Sequence, residues 1–272
     1  MKKIWKILIY AVLGIQAVVT IYPLIWMILA SLKDNISFLA DPWSLPKELR
    51  FFNYQVAWEE GIQDFMLNSI MITAATVLIV ILLSCTFSFM LARFPFKGSG
   101  ILIGLFFAGM MIPVHCTLIP LYNIMNTLGL VDKLWALLFP YVASSLPLAI
   151  FLTYGHYQQL PDELEEAARI DGCNVPNMFF RIFLPLAKPI ISTVSILTAL
   201  NAWNEFIFAN VLITDPAKKT LPVGLMALKG TYSTDYAAMS AALTMSAIPI
   251  ILLYILMSNK IQSGMVAGAV KS

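Results

Sequence analysis

The sequence predicts an all-α, polytopic membrane protein with six transmembrane helices, and two observations carry that prediction. Of its 272 residues, 60% are hydrophobic and only 12% are charged, whereas about a quarter of a typical soluble domain is charged. The charges also stand between long uncharged stretches, which are long enough to cross the ~30 Å hydrocarbon core of a bilayer as helices. Strand-length segments that alternate polar and apolar residues do not compete with this interpretation.

The predicted spans are approximately 7–31, 67–92, 101–124, 134–157, 190–213 and 237–258. The first has a basic start, but it is too long for the apolar region of a signal peptide and no small-residue cleavage site closes it. We therefore expect it to remain as a span. The third contains Pro113 and Pro120, which predict a kink or break because proline removes a helical hydrogen bond. The fifth contains one acid, Glu205.

The positions of Lys and Arg predict that both termini are cytoplasmic. With the N-terminus inside, ten basic residues fall in inside segments and seven in outside loops, and three of the ten precede the first span. An excess of Lys and Arg marks the cytoplasmic side of a membrane protein. An even number of spans returns the C-terminus to that side, so the segment between spans four and five is also cytoplasmic.

This cytoplasmic segment predicts two short helices. The first begins with the sequence Pro-Asp-Glu at 161–163, where proline tolerates the first turn and acids complement the positive end of the helix dipole. Gly172 suits the left-handed residue that ends such a helix. Asn174 can cap the second helix, and Pro185 ends it before span five.

The first of these helices combines small apolar residues with acids. The residues predicted to share one face are Leu164, Ala167, Ala168 and Asp171. Glu165 and Arg169 are four apart and can form a surface ion pair. Small side chains let another surface approach the helix backbone closely. An amphipathic connector lying on lipid headgroups is the alternative, but such helices are usually basic on their polar face, so the acids favour a positively charged protein partner.

The same segment resembles the EAA loop of the membrane subunits of binding-protein-dependent ABC importers. Glu166, Ala167 and Ala168 are followed after three residues by Gly172, and the apolar end of the motif is supplied by Ile182, Leu184 and Pro185. Further stretches are similar to carbohydrate-uptake permeases of the maltose type, specifically the smaller, six-span member of the permease pair. They are "LARFPFKG" at 91–98, "MIPVHCTLIPLYNIMNTLGLVD" at 111–132, "AWNEFIFA" at 202–209, "TLPVGL" at 220–225 and "GMVAGAVKS" at 264–272.

The resemblance implies a type I ABC importer permease fold and a role in ATP-driven uptake of a sugar, with an oligosaccharide as the expected class. It implies a second homologous permease subunit, two ATPase subunits, an external solute-binding protein and membrane lipid as partners. The expected location is the bacterial cytoplasmic (inner) membrane. The implied parts are 1–66, the first span and external loop; 67–259, the permease core with a coupling loop at 158–189; and 260–272, a cytoplasmic tail.

The residues that the resemblance implies for coupling to the ATPase are Glu165, Glu166, Ala167, Ala168, Asp171, Gly172, Ile182, Leu184 and Pro185. In such importers this loop sits in a cleft of the cytoplasmic ATPase, and motion of the ATPase dimer rocks the spans between two access states. The tail from Gly264 to Ser272 is a second expected contact with the ATPase.

No catalytic residue, metal site or bound cofactor is predicted on this chain. The G-x-x-x-x-G-K-[ST] phosphate loop is missing, so ATP and Mg²⁺ are expected on the partner ATPase. The three cysteines lack metal-site spacing, and His115 beside Cys116 supplies too few ligands. The net charge of +2 is scattered, which gives no basic face for nucleic acid.

The candidate pore or gate residues are Asn201, Trp203, Asn204 and Glu205. A carboxylate inside a span is costly and usually faces protein or water. The alternatives are that this polar stripe bonds neighbouring helices, or that Glu205 lies near the outer end of a span broken there. In the last external loop, the resemblance implies that the solute-binding protein contacts Gly230, Thr231, Tyr232, Ser233 and Thr234. A solvated connector is the alternative for that loop.

Two other classes of function fit the sequence less well. An ion-coupled secondary solute carrier normally places several ionisable groups near the bilayer midplane, whereas Glu205 is alone within the predicted spans. An intramembrane enzyme would need a catalytic set such as HExxH or GxSxG, and the sequence contains neither.

Overall fold

The computed structural model describes residues 2–228 and 235–269, and within these ranges the chain is helical with no strand. The α-helices are α1 (Lys2–Ser31), α2 (Asn35–Ala40), α3 (Phe52–Ala57), α4 (Gln63–Arg93), α5 (Ser99–Gly109), α6 (Leu118–Thr127), α7 (Leu138–Gln159), α8 (Glu163–Ile170), α9 (Val175–Met178), α10 (Leu184–Leu186), α11 (Lys188–Asn204), α12 (Ile207–Leu212), α13 (Leu221–Ala227) and α14 (Tyr236–Ala269). Short 3₁₀ turns occur at Val114–Thr117, Leu134–Leu137 and Pro216–Lys218, and π turns at Trp58–Ile62 and Phe179–Phe183.

Among the described residues, four helical segments are long and apolar enough to cross a membrane, and two bent helix pairs raise the number to six if each pair is one span. The four segments are Trp5–Ser31, Phe52–Arg93, Leu134–Gln159 and Tyr236–Ile255. One bent pair, Ser99–Gly109 with Val114–Thr127, turns by 96° at Pro113, which confirms the predicted break in the third span. The other pair, Val175–Leu186 with Lys188–Asn204, turns by 75°.

The fifth span is shorter than predicted. Helix α11 ends at Asn204, because Glu205 has an extended backbone (φ −68°, ψ 125°). The chain then restarts as α12. The predicted stretch 190–213 is therefore two helices, as the alternative of a span broken at Glu205 anticipated.

Helices α4 and α7 form the centre of the bundle, and α11 packs against both and against α14. Helix α1 lies along α14, but most of its apolar side chains are exposed, for example Tyr10 at 72%. Exposed apolar surface of this kind is compatible with water only in small patches, so it fits a bilayer or a second membrane subunit. The bundle has an α8 end, which carries residues 158–189, and an α13 end, which carries Asp132 and residues 212–221.

Candidate functional site

Helix α8 begins and ends at the residues that its local sequence predicts. Asp162 is its N-cap residue, and Glu163, Glu165 and Glu166 lie in its first turn, where negative charge complements the helix dipole. Gly172 adopts φ +74°, and the backbone N–H of Cys173 donates to the Ala168 carbonyl at 2.9 Å. This left-handed ending confirms the predicted stop.

The second half of the loop turns the chain back toward the bundle. The Asn174 side chain accepts a hydrogen bond from the Asn177 backbone N–H at 3.0 Å, which confirms the predicted cap. Helix α9, the π turn and α10 follow as one bent stretch, and Lys188 begins α11 after the 75° bend. The loop is thus a helix, a tight turn and a second helical stretch.

The inner side of the loop rests on an aromatic cluster at the ends of α4 and α7. The buried members of the cluster are Cys85, Phe89, Tyr157, Ala168, Met178, Phe179, Phe183 and Ala187. The Phe89 ring lies with its centroid 5.0 Å from that of Phe183 and 5.2 Å from that of Phe179. Tyr157 and Phe183 are fully buried. Interlocked aromatic rings of this size make a stiff support.

The residues implied for ATPase coupling divide between the two sides of the loop. The exposed ones are Glu166, Ala167, Asp171, Gly172 and Pro185. Ala168 is 2% exposed and faces the aromatic cluster, which Ile182 and Leu184 also contact. Glu165 is half-buried, and its Oε1 forms an ion pair with Nη2 of Arg169 at 2.7 Å.

The prediction that Leu164, Ala167, Ala168 and Asp171 share one contact face is therefore wrong, because Ala168 is buried while Ala167 and Asp171 are exposed. Successive helix residues are rotated by about 100°, and α8 rests on the side that carries Ala168 and the half-buried Leu164. The open side carries Ala167 and Ile170, which is 86% exposed. Only a contact with α4 and α7 could decide this rotation, and the sequence of α8 does not contain that contact.

Arg93, at the end of α4, is a further residue of this site, although the sequence indicated it only as a cytoplasmic charge and as part of the family-like stretch at 91–98. Its Nη1 pairs with the Asp162 carboxylate at 2.6 Å, and its Nη2 donates to the carbonyls of Tyr157 (2.7 Å) and Leu160. Its guanidinium carbon lies 5.1 Å from the Phe183 ring centroid. The available signal was an arginine that directly follows a long uncharged span.

The four candidate pore residues do not share one surface. Asn201 and Asn204 are exposed, whereas Trp203 is 7% exposed and packs with Phe65 and Leu221 inside the bundle. Asn201 donates to the Ser145 hydroxyl at 3.2 Å.

An open cleft of about 270 Å³ lies beside Asn201, between α7 and α11. Its polar lining residues are Ser144, Ser145, Thr198 and Asn201. The rest of the lining is aliphatic. The cleft therefore offers hydroxyl and amide groups on one wall of an otherwise apolar groove.

Glu205 caps the helix that follows the break in the fifth span. Its two carboxylate oxygens accept the backbone N–H groups of Phe208 (2.8 Å) and Ala209 (3.1 Å). These are among the N–H groups that a helix start leaves without a partner. The contacts support the alternative in which this carboxylate marks a break in the span.

The α13 end is held by charges and backbone hydrogen bonds. Asp132, at φ +63°, accepts the backbone N–H groups of Thr214 (2.9 Å) and Asp215 (2.8 Å). Lys218 reaches the carboxylates of Asp132 (3.4 Å) and Asp215 (3.0 Å). These N–H donors lower the pKa of Asp132, the Lys218 hydrogen bond lowers the pKa of Asp215, and the same bond raises the pKa of Lys218.

The loop after α12 is also tied to α4. The Asn68 amide donates to the carbonyls of Ala217 (2.9 Å) and Lys219 (3.0 Å). The candidate contacts from Gly230 to Thr234 lie outside the described residues. In the part of the chain that the structure describes, no three His, Cys, Asp or Glu side chains are grouped so as to hold a metal ion.

Comparison with known proteins identifies the family. Residues 84–262 match the model of the family described as "Binding-protein-dependent transport system inner membrane component". The chain belongs to this family. This permease is 39% identical over 263 residues to the probable ABC transporter permease protein YurM of Bacillus subtilis, with 97% of this chain and 88% of YurM covered.

A second relative and a solved structure agree with the family. The diacetylchitobiose uptake system permease protein NgcG of Streptomyces coelicolor is 33% identical over 262 residues, which cover 95% of the permease and 87% of NgcG. The crystal structure of a bacterial ABC transporter involved in the import of the acidic polysaccharide alginate has a chain that superimposes with a TM-score of 0.84 at 23% identity. It covers 94% of the permease and 96% of that chain, which establishes the shared fold.

The segment matched to the family model contains the main residues of both the α8 end and the α13 end of the bundle. Residues 84–262 include Arg93, the whole loop from 158 to 189 and the Asp132 cluster. Helices α1 to α3 precede it. The permease therefore carries its aromatic cluster and its polar cleft within the part that defines the family.

Proposed function

We propose that this permease is one of two membrane subunits of an ATP-driven importer that takes up an oligosaccharide delivered by an external binding protein. The family description supports the dependence on a binding protein. The name of NgcG, which refers to diacetylchitobiose uptake, and the alginate importer support the substrate class. The second permease subunit is a homologue, and two separate ATPase subunits bind ATP and Mg²⁺.

The open side of α8 on its stiff support is the observation that carries the proposal. Glu166, Ala167 and Gly172 face outward, while Ala168 and the aromatic cluster fix the helix from beneath. A helix that exposes Glu166, Ala167 and Ile170 on its open side and is anchored on its inner side suits insertion into a cleft of another protein. We assign coupling to the ATPase to the whole predicted set: Glu165, Glu166, Ala167, Ala168, Asp171, Gly172, Ile182, Leu184 and Pro185.

This assignment places the α8 end in the cytosol and the protein in the bacterial inner membrane, with both termini cytoplasmic. The division into 1–66, 67–259 and 260–272 belongs to the same proposal, with the tail as a second ATPase contact. The binding protein then docks at the α13 end, and residues 230–234 of the same external loop are a proposed contact. Sugar passes along the α7–α11 cleft, where the Asn201 amide and the serine hydroxyls suit a hydroxyl-rich solute.

Transport follows by alternating access. The docked binding protein releases sugar into an outward-open state, and closure of the ATPase dimer shifts the population between outward-open and inward-open states through α8. Catalysis of ATP hydrolysis belongs to the partner subunits. The permease forms the path for the sugar, and the motion of the ATPase dimer reaches it through α8.

Reconstituted transport tests the proposal. The complex is purified with the binding protein that accompanies it, the sugar is identified by thermal shift of that protein, and ATP-dependent uptake is measured. Gly172→Val strains a left-handed position and Glu166→Lys reverses the charge of the open face. Both should lower sugar-stimulated ATPase activity by at least about fivefold, the low end of typical coupling effects.

Glu163→Gln is the matched control, because Glu163 is exposed on the same helix but outside the proposed coupling set. Normal sugar-stimulated ATPase activity in both coupling variants contradicts the proposed role of α8. Uptake that is driven by an ion gradient without ATP contradicts the importer and favours an ion-coupled carrier.

A further inference from the structure

We propose that Arg93 joins the coupling loop to helices α4 and α7 so that all three move as one body. Arg93 is then a positioning residue for energy coupling, acting through Asp162. This inference rests on the proposed function, because it concerns how motion received by α8 enters the membrane.

Arg93 is the side chain on which four elements of the α8 end converge. It extends α4 by its own backbone, bonds the last carbonyls of α7 at Tyr157 and Leu160, and pairs with Asp162 at the start of α8. Its guanidinium also lies over Phe183 of the π turn at 5.1 Å. A displacement of α8 at Asp162 is therefore applied directly to the ends of two spanning helices.

Burial makes these contacts obligatory for Arg93. Its side chain is 4% exposed, whereas that of Asp162 is 90% exposed. A buried guanidinium needs partners for its donors, and the C-terminal carbonyls of α7 need donors in turn. The exposed carboxylate alone would hold the arginine weakly. The guanidinium is consequently fixed to α7, and Asp162 attaches α8 to it.

The planar fork of arginine is required for this geometry. Nη1 donates to Asp162, Nη2 donates to two carbonyls, and the guanidinium carbon lies over the Phe183 ring. A lysine ammonium is a point charge that cannot hold this fork and the ring contact together. The site therefore discriminates between two residues of equal charge.

Helices α4 and α7 carry the displacement onward because polar contacts lock them together inside the bundle. The Ser88 and Thr153 hydroxyls are 2.6 Å apart, so one donates to the other, and the accepting hydroxyl donates in turn to a carbonyl of the opposite helix, Ile150 for Ser88 or Ser84 for Thr153. All three polar side chains are fully buried. The ends at Arg93 and Tyr157 therefore cannot slide freely past each other.

The test compares Arg93→Gln, Arg93→Lys and Asp162→Asn with Lys97→Gln in the reconstituted complex. Lys97 is an exposed cation four residues further along the chain and is the matched control. We expect Arg93→Gln to keep the ATPase subunits bound and the KM for ATP unchanged. In Arg93→Gln, the stimulation of ATPase activity by the sugar-loaded binding protein should fall by at least about fivefold. Arg93→Lys should be intermediate, and Lys97→Gln should be unchanged.

A distance measurement separates lost coupling from lost stability. Spin labels at Asp64→Cys and Glu163→Cys lie at exposed positions on opposite ends of the α4–α8 unit, in a background without the natural cysteines. One rigid body gives one narrow distance distribution, both without nucleotide and with ATP plus vanadate. We expect this distribution to broaden in the trapped state of Arg93→Gln.

Normal stimulation and an unbroadened distribution in Arg93→Gln overturn the inference. If Arg93→Gln loses its ATPase subunits, Asp162→Asn decides, because its exposed side chain can change without opening the core. Reduced stimulation with an intact complex supports the inference, and normal stimulation overturns it. Failure of ATP-dependent uptake in the unmodified complex would instead contradict the proposed function.

Discussion

The two ends of the bundle are held by different forces. At the α8 end, large buried rings such as Phe89 and Phe183 pack against one another beneath the coupling loop, with the buried guanidinium of Arg93 among them. At the α13 end, Asp132 and Lys218 hold the loop after α12 through partly exposed carboxylates and backbone N–H groups. Both ends contain buried apolar residues, such as Leu212 and Leu221 at the α13 end, but only the α13 loop is also held by a cluster of partly exposed charges.

This difference matches the proposed tasks of the two ends. Buried packing is insensitive to salt and resists deformation, which suits an end that receives force. Exposed ion pairs contribute little to folding stability, and salt screens them. Such weak contacts suit an end that must rearrange when a binding protein docks. The bundle thus combines a stiff receiving end with an end whose contacts can be exchanged.

Removal of the Phe183 ring should have the largest effect. Phe183 is fully buried and contacts Phe89, Tyr157 and Arg93. Phe183→Ala should lower the free energy of unfolding by about 3–5 kcal/mol, the range for buried aromatic truncation, and should release the ATPase subunits. Thermal unfolding in detergent and the subunit composition after purification measure both effects.

Phe180→Ala is the control for that prediction. Phe180 lies three residues away but is 61% exposed, and exposed substitutions usually change stability by no more than about 0.5 kcal/mol. Equal losses for Phe180→Ala and Phe183→Ala would show that burial beneath the loop is not what stabilises the α8 end.

Gly224→Val should show that close packing also stabilises the α13 end. A Cβ atom on Gly224 would lie 2.1 Å from Cδ2 of Phe65, which is 7% exposed, so the ring must move. Overpacking of this kind costs about 1–3 kcal/mol, again measurable by thermal unfolding.

Phe65→Leu combined with Gly224→Val should recover part of that loss, because the smaller side chain vacates the clash. A double variant whose loss of unfolding free energy exceeds the sum of the two single-variant losses would contradict steric conflict as the cause.

The features that the sequence predicted are local ones. Gly172 ends α8 and Asn174 caps α9 because each acts on backbone groups within a few residues. The span positions follow from where the long uncharged stretches lie in the sequence. The rotation of α8 onto Ala168 and the inward position of Trp203 depend on residues far away in the chain.

Arg93 illustrates the limit most clearly. Its partner Asp162 is 69 residues away, and the sequence contains several acids that could have met an arginine at that end of α4. The choice among them depends on where α7 ends and on how the loop folds back, which are properties of the whole bundle. The break at Glu205 was open to sequence reasoning because a carboxylate within a span already suggested it.

The smallest predicted effect concerns charge at the α13 end. The pKa of Asp132 is lowered by the N–H groups of Thr214 and Asp215. Its contribution to the stability of the α13 end is therefore fully present above the ordinary carboxyl pKa of about 4. It is lost as the pH falls through the lower folded value. The pKa of Lys218 is raised, so its contribution is present below about 10.4 and is lost as the pH rises through the higher folded value. Hydrogen exchange at the Thr214 and Asp215 amides should report full protection between these limits.

Asp132→Asn sharpens this measurement because the amide oxygen can still accept both N–H groups at the same left-handed position, which asparagine tolerates. The variant should keep part of the protection of Thr214 and Asp215 but lose its dependence on acid and salt. The Cys173 amide at the α8 end, which bonds Ala168, should show no salt dependence in either protein. Salt-independent protection of Thr214 and Asp215 in the unmodified permease would mean that the ion pairs to Lys218 contribute nothing to the difference between the two ends.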